Sequence, residues 1–169
     1  MDRSNQTKVF FKLDSGEWHG LQTESLWAEP IANSKGADIF VIKNSPFYTR
    51  DVSYLDVVRA VPGLHVQGLD FAGRTDGAGH STYRIIVQND SGKFVEYWNM
   101  LEMLGCTYES GYIGQGTIYS IDVPDATDIC RVYSILEDGQ KNSIWIFEEG
   151  HVGHPIKGRQ KDIKPEQTP

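Results

Sequence analysis

The stretch "TYRIIVQNDSGKFVEYWNMLEMLG", residues 82 to 105, decides the fold. Thr82 to Val87 is a β-branched and aromatic run with the composition of a strand, and Ser91-Gly92 supplies a turn after it. From Lys93 the period changes. Phe94, Trp98, Leu101 and Leu104, joined by Tyr97, recur at helical spacing, and Gly105 is placed to end the helix. A strand followed at once by an amphipathic helix opens a β-α unit.

Downstream, "CTYESGYI" (106–113) and "GTIYSIDVP" (116–124) read as two strands joined through Gly114 and Gly116. Asp125 to Asp138 reads as a second helix with Ile129, Val132, Tyr133 and Leu136 on one stripe and Gly139 at its end. "SIWIFEEG" (143–150) closes as a strand. The order β-α-β-β-α-β predicts a ferredoxin-like module, with two helices over one face of a four-stranded antiparallel sheet.

Upstream the rhythm is all strand: "KVFFKL" (8–13), "ESLWAEPI" (24–31), "ADIFVIKN" (37–44), "LDVVRAV" (55–61) and "LHVQGLDFAG" (64–73). Asn33 and Gly36 give hairpin chemistry between the second and third, and Pro62-Gly63 a turn between the last two. Five short antiparallel strands predict a small, strongly bent SH3-like β module. The expected fold class is therefore α+β, with the β module over residues 1–74 and the ferredoxin-like module over 75–155. Residues 156–169, with little apolar surface, are expected to be a disordered tail.

Of 169 residues, 39% are hydrophobic and 23% charged, the balance of a globular chain. No run is long enough for a membrane span, and the opening residues lack the charged-then-apolar design of a signal peptide, so a soluble cytoplasmic protein is expected. Net charge is −7; the tail carries four basic and two acidic residues, which leaves −9 on residues 1–155. Such a surface argues against nucleic acid and suits a basic protein partner. Cys106 and Cys130 have no CxxC spacing, which excludes a cysteine-paired zinc site and leaves two buried free thiols as the expectation.

The chemistry-bearing run is "GHSTYR", Gly79 to Arg84. His80 and Ser81 resemble a nucleophile beside its base, but neighbours on a strand point to opposite faces, and triads are assembled from separate segments. "GRTDGAG" lacks the Lys-Ser/Thr of a phosphate loop and precedes a strand rather than a helix. The structural reading is a loop capped by His80 and Ser81, with Thr82 in the strand and Arg84 solvated or ion-paired. The functional reading is a ligand cluster of Asp56, His80, Ser81, Thr82 and Arg84. Asp56 stands among apolar residues, where a charge needs a partner, and Arg84 and Arg59 compete for it. His151 and His154 in "GHVGHP" are expected in a surface loop, since Gly153 and Pro155 exclude a helical metal pair; no metal or cofactor is expected. Trp18, Trp27, Trp98 and Trp145 are read as mostly core.

Glu24, Leu26 and Trp27, then Asn44, Pro46 and Phe47, then Asp56, Val57 and Val58, and finally Gly79, His80, Ser81, Thr82 and Arg84 resemble the bacterial family "domain of unknown function 4265". The resemblance spans about residues 8 to 150 and carries no catalytic assignment. It implies that the "GHSTYR" run joins the two halves, with Arg84 reaching Asp56 or the Asn44 loop. By analogy with small bacterial proteins of this kind, the leading expectation is a non-enzymatic immunity or antitoxin-type inhibitor of a basic toxin domain. Its acidic contact residues would be Asp76, Glu109, Asp122, Glu148 and Glu149. The alternative is an enzyme or small-ligand domain using a cleft between the modules around His80, Ser81 and Arg84.

Overall fold

The computed structural model describes residues 5–31, 38–63, 67–88, 92–114 and 116–155. His65, the Asn33–Gly36 loop, the Ser91 turn residue and the tail lie outside the described residues. Among the described residues are nine strands and two helices, so the fold is mixed α+β and mostly β.

Strands β1 (Thr7–Lys12), β2 (Thr23–Pro30), β3 (Ile39–Ile42), β4 (Val57–Pro62) and β5 (Leu69–Asp76) form a closed barrel. Period-two burial builds its core: Val9 and Phe11, Leu26 and Ala28, Phe40 and Ile42, then Val58 and Ala60 point inward from successive strands. Each consecutive pair is antiparallel, so with five strands the first and last run the same way. The closing pair is accordingly parallel, with Val9 opposite Leu69, a departure from the all-antiparallel expectation imposed by the odd strand count. The β4–β5 ladder is irregular beside Gly73, whose φ of 128° admits only glycine comfortably. β5 runs to Asp76, two residues past the expected module boundary.

Strands β6 (Ser81–Val87), β7 (Thr107–Ile113), β8 (Gly116–Val123) and β9 (Ile146–His151) form a second, wholly antiparallel sheet in the order β7-β8-β6-β9. Helices α1 (Phe94–Glu102) and α2 (Ile129–Lys141) belong to this half. Tyr83, Ile85 and Val87 of β6 and Ile121 and Val123 of β8 pack with Phe94, Trp98 and Leu101 of α1 and with Val132 and Leu136 of α2.

α2 starts four residues later than its periodicity predicts. Asp128 is its N-cap, accepting hydrogen bonds from the Cys130 and Arg131 amides, while Thr127 closes a turn onto Pro124. Gly139 does not end it. A β-carbon there would sit 2.4 Å from the Trp145 ring, so this glycine marks close helix–indole packing, reinforced by Trp145 Nε1 donating to the Leu136 carbonyl. Trp18 is 47% exposed and packs on His19 and Tyr48, against the core expectation. Cys106 is buried as expected, but Cys130, in the first turn of α2, is exposed.

Candidate functional site

β6 decides the site, because its two faces do different work. Strand alternation sends Tyr83, Ile85 and Val87 toward the helices and Thr82, Arg84 and Ile86 the other way. Onto that second face folds the β3–β4 connection, Asn44 to Asp56.

The contacts are polar and specific. Arg84, 2% exposed, donates from Nη2 to the Thr49 carbonyl and from Nη1 to Glu148 Oε1 at 2.8 Å. Ser120, its cross-strand neighbour, donates to the Pro46 carbonyl at 2.7 Å. On the far side of Ser120, Glu109 accepts from the Ser45 amide at 2.9 Å. Thr82 shares a 2.9 Å hydrogen bond with Ser53.

The loop is pinned from the barrel side as well. The Glu24 carboxylate accepts three successive amides, Phe47, Tyr48 and Thr49, at 2.7, 3.0 and 2.6 Å. Asn44 Oδ1 accepts from the Trp27 amide. Asp56, 1% exposed, accepts from the Ser53 and Ala78 amides at 2.9 Å each and pairs with Arg74 at 3.3 Å. These anchors hold Asp51 and Leu55 at φ of 66° and 65°, in the left-handed region that a leucine rarely enters.

Arg84 and Asp56 are therefore both buried at the join, but they do not pair with each other. Arg84 has Glu148 and Thr49; Asp56 has Arg74. The sequence offered Arg59 and Arg84 as partners and passed over Arg74, which register places beside the start of β4.

The rest of the run is also engaged. Ser81 Oγ accepts from the Gly153 and His154 amides at 3.0 and 3.3 Å and donates to His154 Nδ1 at 2.7 Å, while His154 Nε2 donates to the Pro124 carbonyl at 2.9 Å. A hydroxyl with both lone pairs occupied, beside a histidine held by a backbone carbonyl, clamps the segment that follows β9 onto the sheet rather than attacking a substrate. His154 is thus buried, not in the surface loop expected of it. His151, half-buried at the end of β9, accepts from Arg74 Nη1 at 2.6 Å. Burial, and the Arg74 charge after it, hold its pKa below the ordinary imidazole value against the opposing pull of Asp56 and Asp51.

His80 keeps one free atom. Nδ1 donates to Asp122 Oδ1 at 2.8 Å; Nε2 has no hydrogen bond among the described residues, and the Tyr54 ring stands edge-on at 5.7 Å. Burial raises the Asp122 carboxyl above its usual range, with His80 pulling it back. Of the five acidic residues expected to meet a partner, Asp122 is buried, while Glu109 and Glu148 are tied to the loop and to Arg84. Trp18 Nε1 adds a 3.2 Å bond to Glu148. Asp76, which caps the Gly77 amide, and Glu149 are exposed.

The family model for "Domain of unknown function (DUF4265)" matches residues 24–147. The chain belongs to this family. In this DUF4265 chain the matched span begins at Glu24, the carboxylate that pins the loop, and ends inside β9, one residue before Glu148. A hypothetical protein from Neisseria gonorrhoeae, reported as a novel crystal structure, is similar with a TM-score of 0.65 and 15% identity. The alignment covers 89% of this chain and 96% of that one, a likeness of fold alone. Among curated proteins no match was found. No described helix is long and apolar enough to cross a membrane.

Proposed function

We propose that this DUF4265 chain is a non-enzymatic protein-binding module, an immunity-type inhibitor that lays an acidic surface on a basic partner domain. One observation carries the reading. The polar groups of "GHSTYR" are largely consumed in holding the join, while the exposed surface of α1 and edge strand β7 interleaves the acidic Glu96, Glu102 and Glu109 with apolar and aromatic side chains. Tyr112 is 94% exposed and Met103 85%, with Val95 and Tyr108 also exposed. Methionine and tyrosine are enriched where proteins meet, and among the described residues β7 pairs on one side only. The net charge of −7 supplies the attraction for a basic partner.

We read the architecture as an SH3-like barrel followed by a ferredoxin-like sheet, two modules divided near residue 75. Element order and the antiparallel order β7-β8-β6-β9 support this. The loop from Asn44 to Asp56 then covers the sheet face that the helices leave open.

The test is association with the product of the adjacent gene at two salt concentrations. Binding that slows as salt rises, and that weakens on Tyr112→Ala with the melting temperature unchanged, supports the reading. Salt-independent binding, or none, removes it. A second reading has the free His80 Nε2 in its favour: with Asp122 behind it, this imidazole is arranged as a general base. Turnover of a small molecule that His80→Gln abolishes would move the protein to that class.

A further inference from the structure

An apolar cavity of about 680 Å³ lies on the helix side of the second sheet, walled by Tyr83, Ile129, Tyr133, Val152 and Pro155. Exposed Cys130 and Glu149 complete its lining. Ligand cavities fall in this size range, mostly apolar with a few convergent polar groups.

Its polar groups are unusual in being unused. Tyr83 is 1% exposed, and its hydroxyl, which is not sealed from solvent, makes no hydrogen bond to another described residue. A phenol this deeply placed normally finds a partner, and here the cavity is open to supply one. Burial, with the Glu149 charge next, raises the Tyr83 pKa far above the ordinary phenol value, so the hydroxyl stays protonated. Glu149 lies directly opposite Tyr83 in the β6–β9 ladder and makes no ion pair among the described residues. The Tyr133 ring stands edge-on to Tyr83, with centroids 6.2 Å apart.

We propose that this cavity binds a small hydrophobic organic ammonium. The carbon skeleton lies against Ile129, Tyr133 and Val152, and the cationic head sits between the Glu149 carboxylate and the Tyr83 hydroxyl oxygen. A carboxylate ligand would meet Glu149 as a like charge. A hydrocarbon would leave Tyr83 unpartnered. An ammonium gives both groups a donor and gains from the electron-rich tyrosine faces. The site is independent of the partner surface on α1 and β7.

Cys130 gives a direct readout. The chain has two cysteines, and Cys106 is buried. The rate of Cys130 alkylation by iodoacetamide is measured with 2-phenylethylammonium, with neutral 2-phenylethanol, and with 3-phenylpropionate. The ammonium is expected to slow alkylation saturably, the alcohol weakly and the carboxylate not at all. Tyr83→Phe, which removes no internal hydrogen bond, should weaken protection by the ammonium about tenfold. Glu149→Gln should erase the preference for ammonium over alcohol. Equal protection by all three probes, no protection by any, or a full ammonium preference in Glu149→Gln would overturn the proposal.

Discussion

The two faces of β6 are held by opposite means. Toward the helices, Tyr83, Ile85 and Val87 join an apolar core in which contact is non-directional and proportional to area buried. Toward the barrel, Thr82 and Arg84, with Ser120 and Glu109 beside them, meet the 44–56 loop through single hydrogen bonds with fixed partners. An apolar face tolerates changes of shape and loses stability in proportion to volume removed. A polar face loses little when a matched pair is replaced together and much when one partner goes, because the other is left buried without a bond.

Arg84→Ala is the strongest test of that contrast. It strips the Thr49 carbonyl of its guanidinium donor and leaves Glu148 with the Trp18 indole N–H but no cation. Breaking a buried pair costs roughly 3–5 kcal/mol; the Glu148 side chain retains 31% exposure and can recover some hydration, so the lower end is expected. Chemical denaturation measures it. Arg84→Met, which restores volume but no donor, should recover only a small part. Full recovery would make Arg84 a space-filler.

Glu24→Gln comes next. The amide leaves one acceptor oxygen for three loop N–H groups and sets donors against the others. A loss of about 1–2 kcal/mol is expected. Limited proteolysis should then cut near Arg50, since the strained Asp51–Leu55 segment loses its barrel anchor. On the apolar face, Ile85→Val is the matched control, at about 0.5–1.5 kcal/mol, with no change in loop proteolysis. If Ile85→Val loosened the loop as Glu24→Gln does, the two faces would not be energetically separate.

How far the sequence foretold this follows from the same division. Period-two and helical spacing found the strands and both helices, because patterning follows burial. The role of "GHSTYR" at the join was implied by the family resemblance, while its residue types alone gave a capped loop and a paired or solvated arginine, and the partners were legible from neither. Arg84 reaches Glu148 across 64 positions and Thr49 across 35, and Ser81 reaches His154 across 73. Only topology creates such neighbours. Glu24 shows the limit well: it matched the family pattern, yet nothing local signals that three amides would converge on it. Gly139 failed in the other direction, since a glycine near a helix end reads as a stop unless the facing Trp145 is known. The cavity beside Tyr83 left no sequence signal.

The smallest effect should come from His151, and it follows from pH alone. In the folded chain its Nε2 accepts from Arg74, which also holds Asp56, so one imidazole ties the end of β9 to the barrel. Protonation would set two N–H donors face to face. Because the folded pKa lies below the ordinary imidazole value, the unfolded chain binds more protons in the window between the two. Stability therefore rises with pH through that window and is lost as pH falls through it. His151→Gln offers Arg74 a carbonyl acceptor that does not titrate, so it should remove this share of the pH slope while leaving the neutral-pH melting temperature nearly unchanged. Melting curves of both proteins across mildly acidic pH supply the check. A constant difference at every pH would detach His151 from the join and leave Asp56 and Arg74 to carry that corner by themselves.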